Sequence, residues 1–75
     1  MLTTLGQLKM NDEGIIESFL DQDFALSIIN MGFVIGNKVR VNRIAPLGDP
    51  ILISSGANSV SIRKADADLI TIKKL

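Results

Sequence analysis

Six residues, Ala45-Pro46-Leu47-Gly48-Asp49-Pro50, separate the alternating stretch Val39-Arg40-Val41 from the apolar run Ile51-Leu52-Ile53. The flanks read as strands, so the six residues must join them, and their chemistry leaves the join little freedom. Pro46 and Pro50 each fix φ and remove a backbone donor, Gly48 accepts positive φ, and Asp49 is biased toward extended geometry by the proline after it. A reversal alone needs only a two-residue turn such as Asn-Gly. A stiff loop with an apolar residue at its centre has two readings: Leu47 folds back onto the core, or it is held out as a contact surface.

The chain has 75 residues, with neither cysteine nor histidine. Residues 1–75 are expected to form one small domain. A core of this size rarely yields more than about 3–5 kcal/mol net, and small scaffolds usually add disulfides, a structural metal or a partner. Disulfides and thiolate metal sites are excluded by composition, and the commonest metal ligand and general base is missing as well. Packing or association must supply the stability, so a homo-oligomer is one expectation. Eight basic residues balance eight acidic ones, which argues against nucleic acid as a partner, because a grip on phosphates needs excess Lys and Arg. No stretch approaches the roughly 20 apolar residues that span a bilayer. The start, Met1-Leu2-Thr3-Thr4-Leu5, lacks the basic and apolar regions of a secretory signal. The expectation is a cytoplasmic protein without direct membrane insertion.

Along the chain, Thr4 is placed to cap a helical turn over Leu5 to Leu8, and Met10 to Gly14 read as a turn. Ile15 to Leu20 are β-rich. Asp21 or Asp23 can cap one short helix whose Phe24, Ile28 and Met31 fall at i, i+4 and i+7 on a core-facing stripe, and Gly32 supplies its stop. Strands follow at Lys38 to Ile44, Ile51 to Ser54 and Val60 to Arg63, the last two joined by the turn Ser55-Gly56-Ala57-Asn58. Lys64 to Asp68 can form a helical turn, and Ile70 to Lys73 close the chain as a strand. About five strands, with one short α-helix between the first two, predict an all-β fold, a small SH3-like barrel whose curvature hides its edges.

Catalytic equipment is scarce, and no enzymatic function is expected. No serine sits in a nucleophile elbow, no glycine-rich phosphate loop is present, and no residue can be named as catalytic or cofactor-binding. Three Phe and no Trp or Tyr speak against a polyproline-binding aromatic groove. Carboxylates occur at Asp12-Glu13, Asp21-Gln22-Asp23 and Asp66-Ala67-Asp68. Asp-x-Asp alone is a weak metal signal, and Asp21, Asp23 and Asp66 read better as caps or first-turn residues. Weak binding of Fe(II) or another divalent ion is the metal chemistry left open; no metal site is assigned.

Taken together, Met31-Gly32-Phe33-Val34-Ile35-Gly36, Val39-Arg40-Val41, the Ala45 to Ile51 segment, and Ile62-Arg63-Lys64 with Ala67 and Ile70 resemble the FeoA family, small cytoplasmic components of bacterial ferrous iron uptake. The resemblance covers nearly the whole chain, and Ala45 to Ile51 is its most specific part. It implies an SH3-like barrel and an accessory role beside a FeoB-type membrane permease, whose cytoplasmic part binds GTP. A related domain ends many iron-dependent repressors. Members commonly carry Arg-Leu before the Met-Gly and Pro before the second Gly; here those positions are Ser27-Ile28 and Ile35, and Asn11 replaces a glycine often found in the first turn. The family is often described with transition-metal binding, but this chain lacks the nitrogen and sulfur ligands that hold Fe(II) well. The expected function is docking on the permease's cytoplasmic part and modulation of it, through a partner-binding surface of Leu47 and Asp49 assisted by Met31 and Phe33. The alternatives are a small metal-responsive module and a self-associating SH3-like domain.

Overall fold

Nine short elements follow one another along residues 1–75 of the computed structural model. Strand β1 (Leu2–Thr4) runs into a 3-10 turn (Leu5–Gln7), and β2 (Glu13–Phe19) precedes helix α1 (Gln22–Asn30). Strands β3 (Lys38–Ile44), β4 (Ile51–Ser55) and β5 (Asn58–Ile62) come next, and a helical turn α2 (Lys64–Ala67) leads to β6 (Ile70–Lys74). All strands pair antiparallel in one sheet of order β1-β6-β2-β3-β4-β5.

The sheet curls because β2 serves two neighbours. Its start, Glu13–Ile15, pairs with β3, while residues Gly14 to Phe19 pair with β6. Glu17 and Asn42 fall at breaks in register, in β2 against β6 and in β3 against β4. Such bulges bend a strand and tighten its twist. β1 and β5 stay as edges, so the barrel is made by curling and is not closed by hydrogen bonds. Strand alternation aims Ile16, Val39, Val41, Ile51, Ile53, Ile62, Ile70 and Ile72 inward, where Leu5, Leu8, Ile28, Phe33 and Ala67 complete a core of 13 buried residues.

Six strands stand where about five are expected. The additional one, β1, is three residues long, with none of them fully buried, and too short to show alternation; it exists through its pairing with Thr71–Lys73 of β6. Thr4 lies at the expected N-cap position but makes no side-chain cap bond. Its hydroxyl donates instead to Asp68 Oδ1 (3.0 Å), tying the 3-10 turn to the end of α2.

Helix α1 forms as its end signals dictate. Asp21 Oδ2 accepts from the Phe24 N–H (2.8 Å), satisfying one of the first-turn donors. At the other end Gly32 adopts φ +96°, its N–H donates to Ile29 O (2.9 Å), and the Phe33 N–H donates to Ile28 O (3.2 Å). This pairing of the last carbonyls is a Schellman end, which brings the side chain two residues past the cap against the helix's last turn. Ile28 and Phe33 are accordingly both buried. Phe24 packs against the core from a half-buried position, whereas Met31, third in the expected stripe, is 45% exposed.

Candidate functional site

The β3–β4 connection is stiffened from inside and from outside. The Ala45 N–H donates to Pro50 O (3.1 Å) and the Gly48 N–H to Ala45 O (2.7 Å), closing the turn on itself. Gly48 has φ +87°, and nothing lies within 4 Å of where a Cβ would be, so conformation rather than crowding calls for glycine there. The Asp49–Pro50 peptide is cis. From outside, Asp49 Oδ1 accepts from the Lys64 N–H (2.9 Å). Lys64 opens α2, whose N-cap residue Arg63 supplies no side-chain bond, so Asp49 serves that helical turn across 15 positions of sequence.

Leu47 is 96% exposed at the tip of this braced turn. The fold-back onto the core is ruled out: the side chain stands in solvent.

A groove of about 200 Å³ lies at the foot of the loop, lined by Arg43, Ala45, Pro46, Pro50, Leu52 and Ser61. Cross-strand register explains half of that lining: Arg43 pairs with Leu52, and Leu52 with Ser61, so the three form one row on the outer face of β3–β4–β5. Arg43 reaches that row because of the bulge at Asn42. By strict alternation it would share the inward side of Val39 and Val41; the additional residue turns it out and sends Ile44 inward, where it packs on the core. Arg43 takes part in none of the four ion pairs, which join Lys38 to Glu13 (3.7 Å), Arg63 to Asp66 (3.5 Å), Lys64 to Asp68 (3.4 Å) and Lys74 to Asp12 (3.8 Å).

The four expected surface residues do not form one surface. Leu47 and Asp49 share the loop, but the Asp49 carboxylate is engaged within the chain. Phe33 is 0% exposed and offers no surface at all, since the Schellman end of α1 folds it under Ile28. Met31 is exposed, but it caps α1 at the far end of the β4 strand: a side chain at neighbouring Gly32 would meet Asn58, which begins β5. About 13 Å of strand separates that end from the loop. Sequence reasoning missed Arg43, Leu52 and Ser61; the signal for them was the parity conflict at Arg43, an arginine falling on the apolar phase of a strand.

The carboxylate pairs do not fit a metal centre. No three of the Asp and Glu residues gather as a ligand set, and each candidate pair has at least one member engaged within the chain: Asp12 accepts from the Lys9 N–H (2.9 Å), Asp21 caps α1, Asp66 pairs with Arg63, and Asp68 accepts from Thr4 and Lys64.

Comparison with known proteins gives a consistent result. The model of the FeoA domain matches residues 3–74. A crystal structure of an iron uptake regulatory protein (FeoA) superposes with a TM-score of 0.86 at 29% identity, covering 100% of this chain and 99% of that one. The FeoA of Stenotrophomonas maltophilia, crystallised with zinc and described as a prokaryotic SH3 domain protein possibly acting as a ferrous iron transport activating factor, matches at 26% identity with a TM-score of 0.83, covering 95% of this chain and 89% of that one. A manganese-dependent transcriptional repressor shares the fold at 16% identity and a TM-score of 0.85, over 99% of this chain and 42% of the repressor.

Proposed function

This chain belongs to the FeoA family, and from that membership, which implies an accessory role in ferrous iron transport, we propose that it docks from the cytoplasm on the cytoplasmic GTP-binding part of a FeoB-type permease and modulates it without catalysing a reaction. The observation that carries the reading is Leu47. A small domain gains nothing in its own fold from a leucine left almost wholly in water, and here two backbone hydrogen bonds and the Asp49 brace hold the loop that presents it. A preformed loop loses little conformational freedom on binding, so its apolar contact is not offset by an ordering cost. A buried leucine anchor contributes about 1.5–3 kcal/mol, enough to set the affinity of a transient regulatory contact. No helix is long and apolar enough to cross a membrane, so reaching the permease through a protein surface is consistent with the architecture.

The test is co-purification. Leu47→Asp removes the apolar tip without touching the core, so its unfolding midpoint should match the parent's while its recovery with the permease's cytoplasmic part falls sharply. Undiminished recovery would remove the loop from the interface.

A further inference from the structure

The groove at the foot of the Leu47 loop, which Leu47's neighbour Pro46 helps to line, contains an uncompensated cation. Arg43 lines it, is exposed, and forms neither an ion pair nor a side-chain hydrogen bond to the rest of the chain. The carboxylates of the adjoining loop and helical turn are engaged within the chain: Asp49 with the Lys64 N–H, Asp66 with Arg63. Two further cations follow Ser61 in the chain, each already paired with a carboxylate, Arg63 with Asp66 and Lys64 with Asp68. Arg63, two residues on along extended backbone, alternates to the same face, and Lys64 is held against the loop through Asp49. The walls, Ala45, Pro46, Pro50 and Leu52, are apolar.

This combination restricts what can bind. A purely apolar occupant would strip water from the Arg43 guanidinium and return nothing, leaving a buried unpaired charge that costs several kcal/mol. A bare inorganic anion would satisfy the guanidinium but leave the proline and leucine walls wet. A carboxylate accepts the planar fork in two parallel hydrogen bonds, a strong, bidentate pairing. We propose that the groove receives a segment of the partner carrying an Asp or Glu side chain next to an apolar residue, the carboxylate seated on Arg43 and the apolar side chain against Pro46, Pro50 and Leu47. This rests on the docking function proposed above and specifies the chemistry of the docked surface.

The experiment measures binding of the purified cytoplasmic part of the permease to the intact chain and to three variants. Arg43→Glu should weaken binding about tenfold or more, as expected when one partner of a covered charge pair is reversed. Arg43→Lys should retain part of the affinity, and its amine permits zero-length carbodiimide coupling. Mass spectrometry should then find position 43 joined to a partner Asp or Glu with an apolar neighbour. The third variant, Leu47→Asp, reports on docking itself. If Leu47→Asp abolishes binding while Arg43→Glu leaves it unchanged, docking by the loop stands and the acidic segment is overturned. If both variants bind as the parent does, the docking surface falls, and this inference with it. Retained binding of Arg43→Lys with no coupling at position 43 also counts against a seated carboxylate.

Discussion

Leu47 and Phe33 are both large apolar residues flanked by turn signals, and they meet opposite fates for local reasons. Two prolines and a glycine set the turn that holds Leu47 outward, while the Schellman hydrogen bonds after Asn30 fold Phe33 under Ile28. Their stability effects should differ accordingly. Phe33→Ala opens a cavity in the core and should cost about 3–5 kcal/mol, whereas Leu47→Ala should change stability by no more than about 0.5 kcal/mol; equilibrium urea unfolding separates the two. Asp49 is the residue whose role was least visible. In sequence it is a turn residue before a proline; in the fold its carboxylate serves a helical turn far along the chain, a partnership no local pattern encodes. Asp49→Ala should lower stability by about 1 kcal/mol through the lost hydrogen bond, and Asp49→Asn, which keeps an acceptor oxygen, should lose less on the same denaturant curve.

At the scale of elements, α1 was readable almost to its ends because both are written in local chemistry: an aspartate before the first turn and a glycine after the last. Gly32→Ala should destabilise the fold by about 1–2 kcal/mol, since φ +96° is costly for any residue with a Cβ and the new methyl would also meet Asn58; the thermal midpoint reads that loss. Strands β3 to β6 were legible for the same reason, through alternation and turn residues. Two features were not. β1 has too few residues for a period and depends on β6 for its existence. The bulge at Asn42 is a consequence of tertiary packing: an arginine on the inward phase of β3 would be buried without a carboxylate, and one unpaired residue resolves the conflict by turning Arg43 outward.

For the whole molecule, net charge is zero but unevenly placed along the chain. Residues 10 to 37 carry five carboxylates (Asp12, Glu13, Glu17, Asp21 and Asp23) and no cation, whereas the groove at the foot of the 45–50 loop holds Arg43, a cation outside the four ion pairs. Exposed apolar residues occur in both parts. Leu26 and Ile29 lie three apart on α1, exposed beside its acidic first turn, and Leu47 lies over the groove. The carboxylates are spread among caps and ion pairs, so anaerobic Fe(II) should show no saturable binding below millimolar concentrations. Micromolar binding lost in Asp21→Asn or Asp66→Asn would instead favour the metal-responsive alternative. Fold class and the loop's fixed shape were thus within reach of the sequence, because prolines, glycines and alternation are local. The groove was not, since its floor is a cross-strand row set by register. The central claim of the proposed docking is that the Leu47 loop, and not the exposed face of α1, meets the permease, and amide chemical-shift mapping of the labelled chain with the unlabelled cytoplasmic part of the permease tests it most directly. Docking through the loop predicts perturbations concentrated at Arg43 to Asp49, Leu52 and Ser61 to Lys64, with α1 unaffected; perturbations centred on Leu26 and Ile29, with the loop silent, would contradict it.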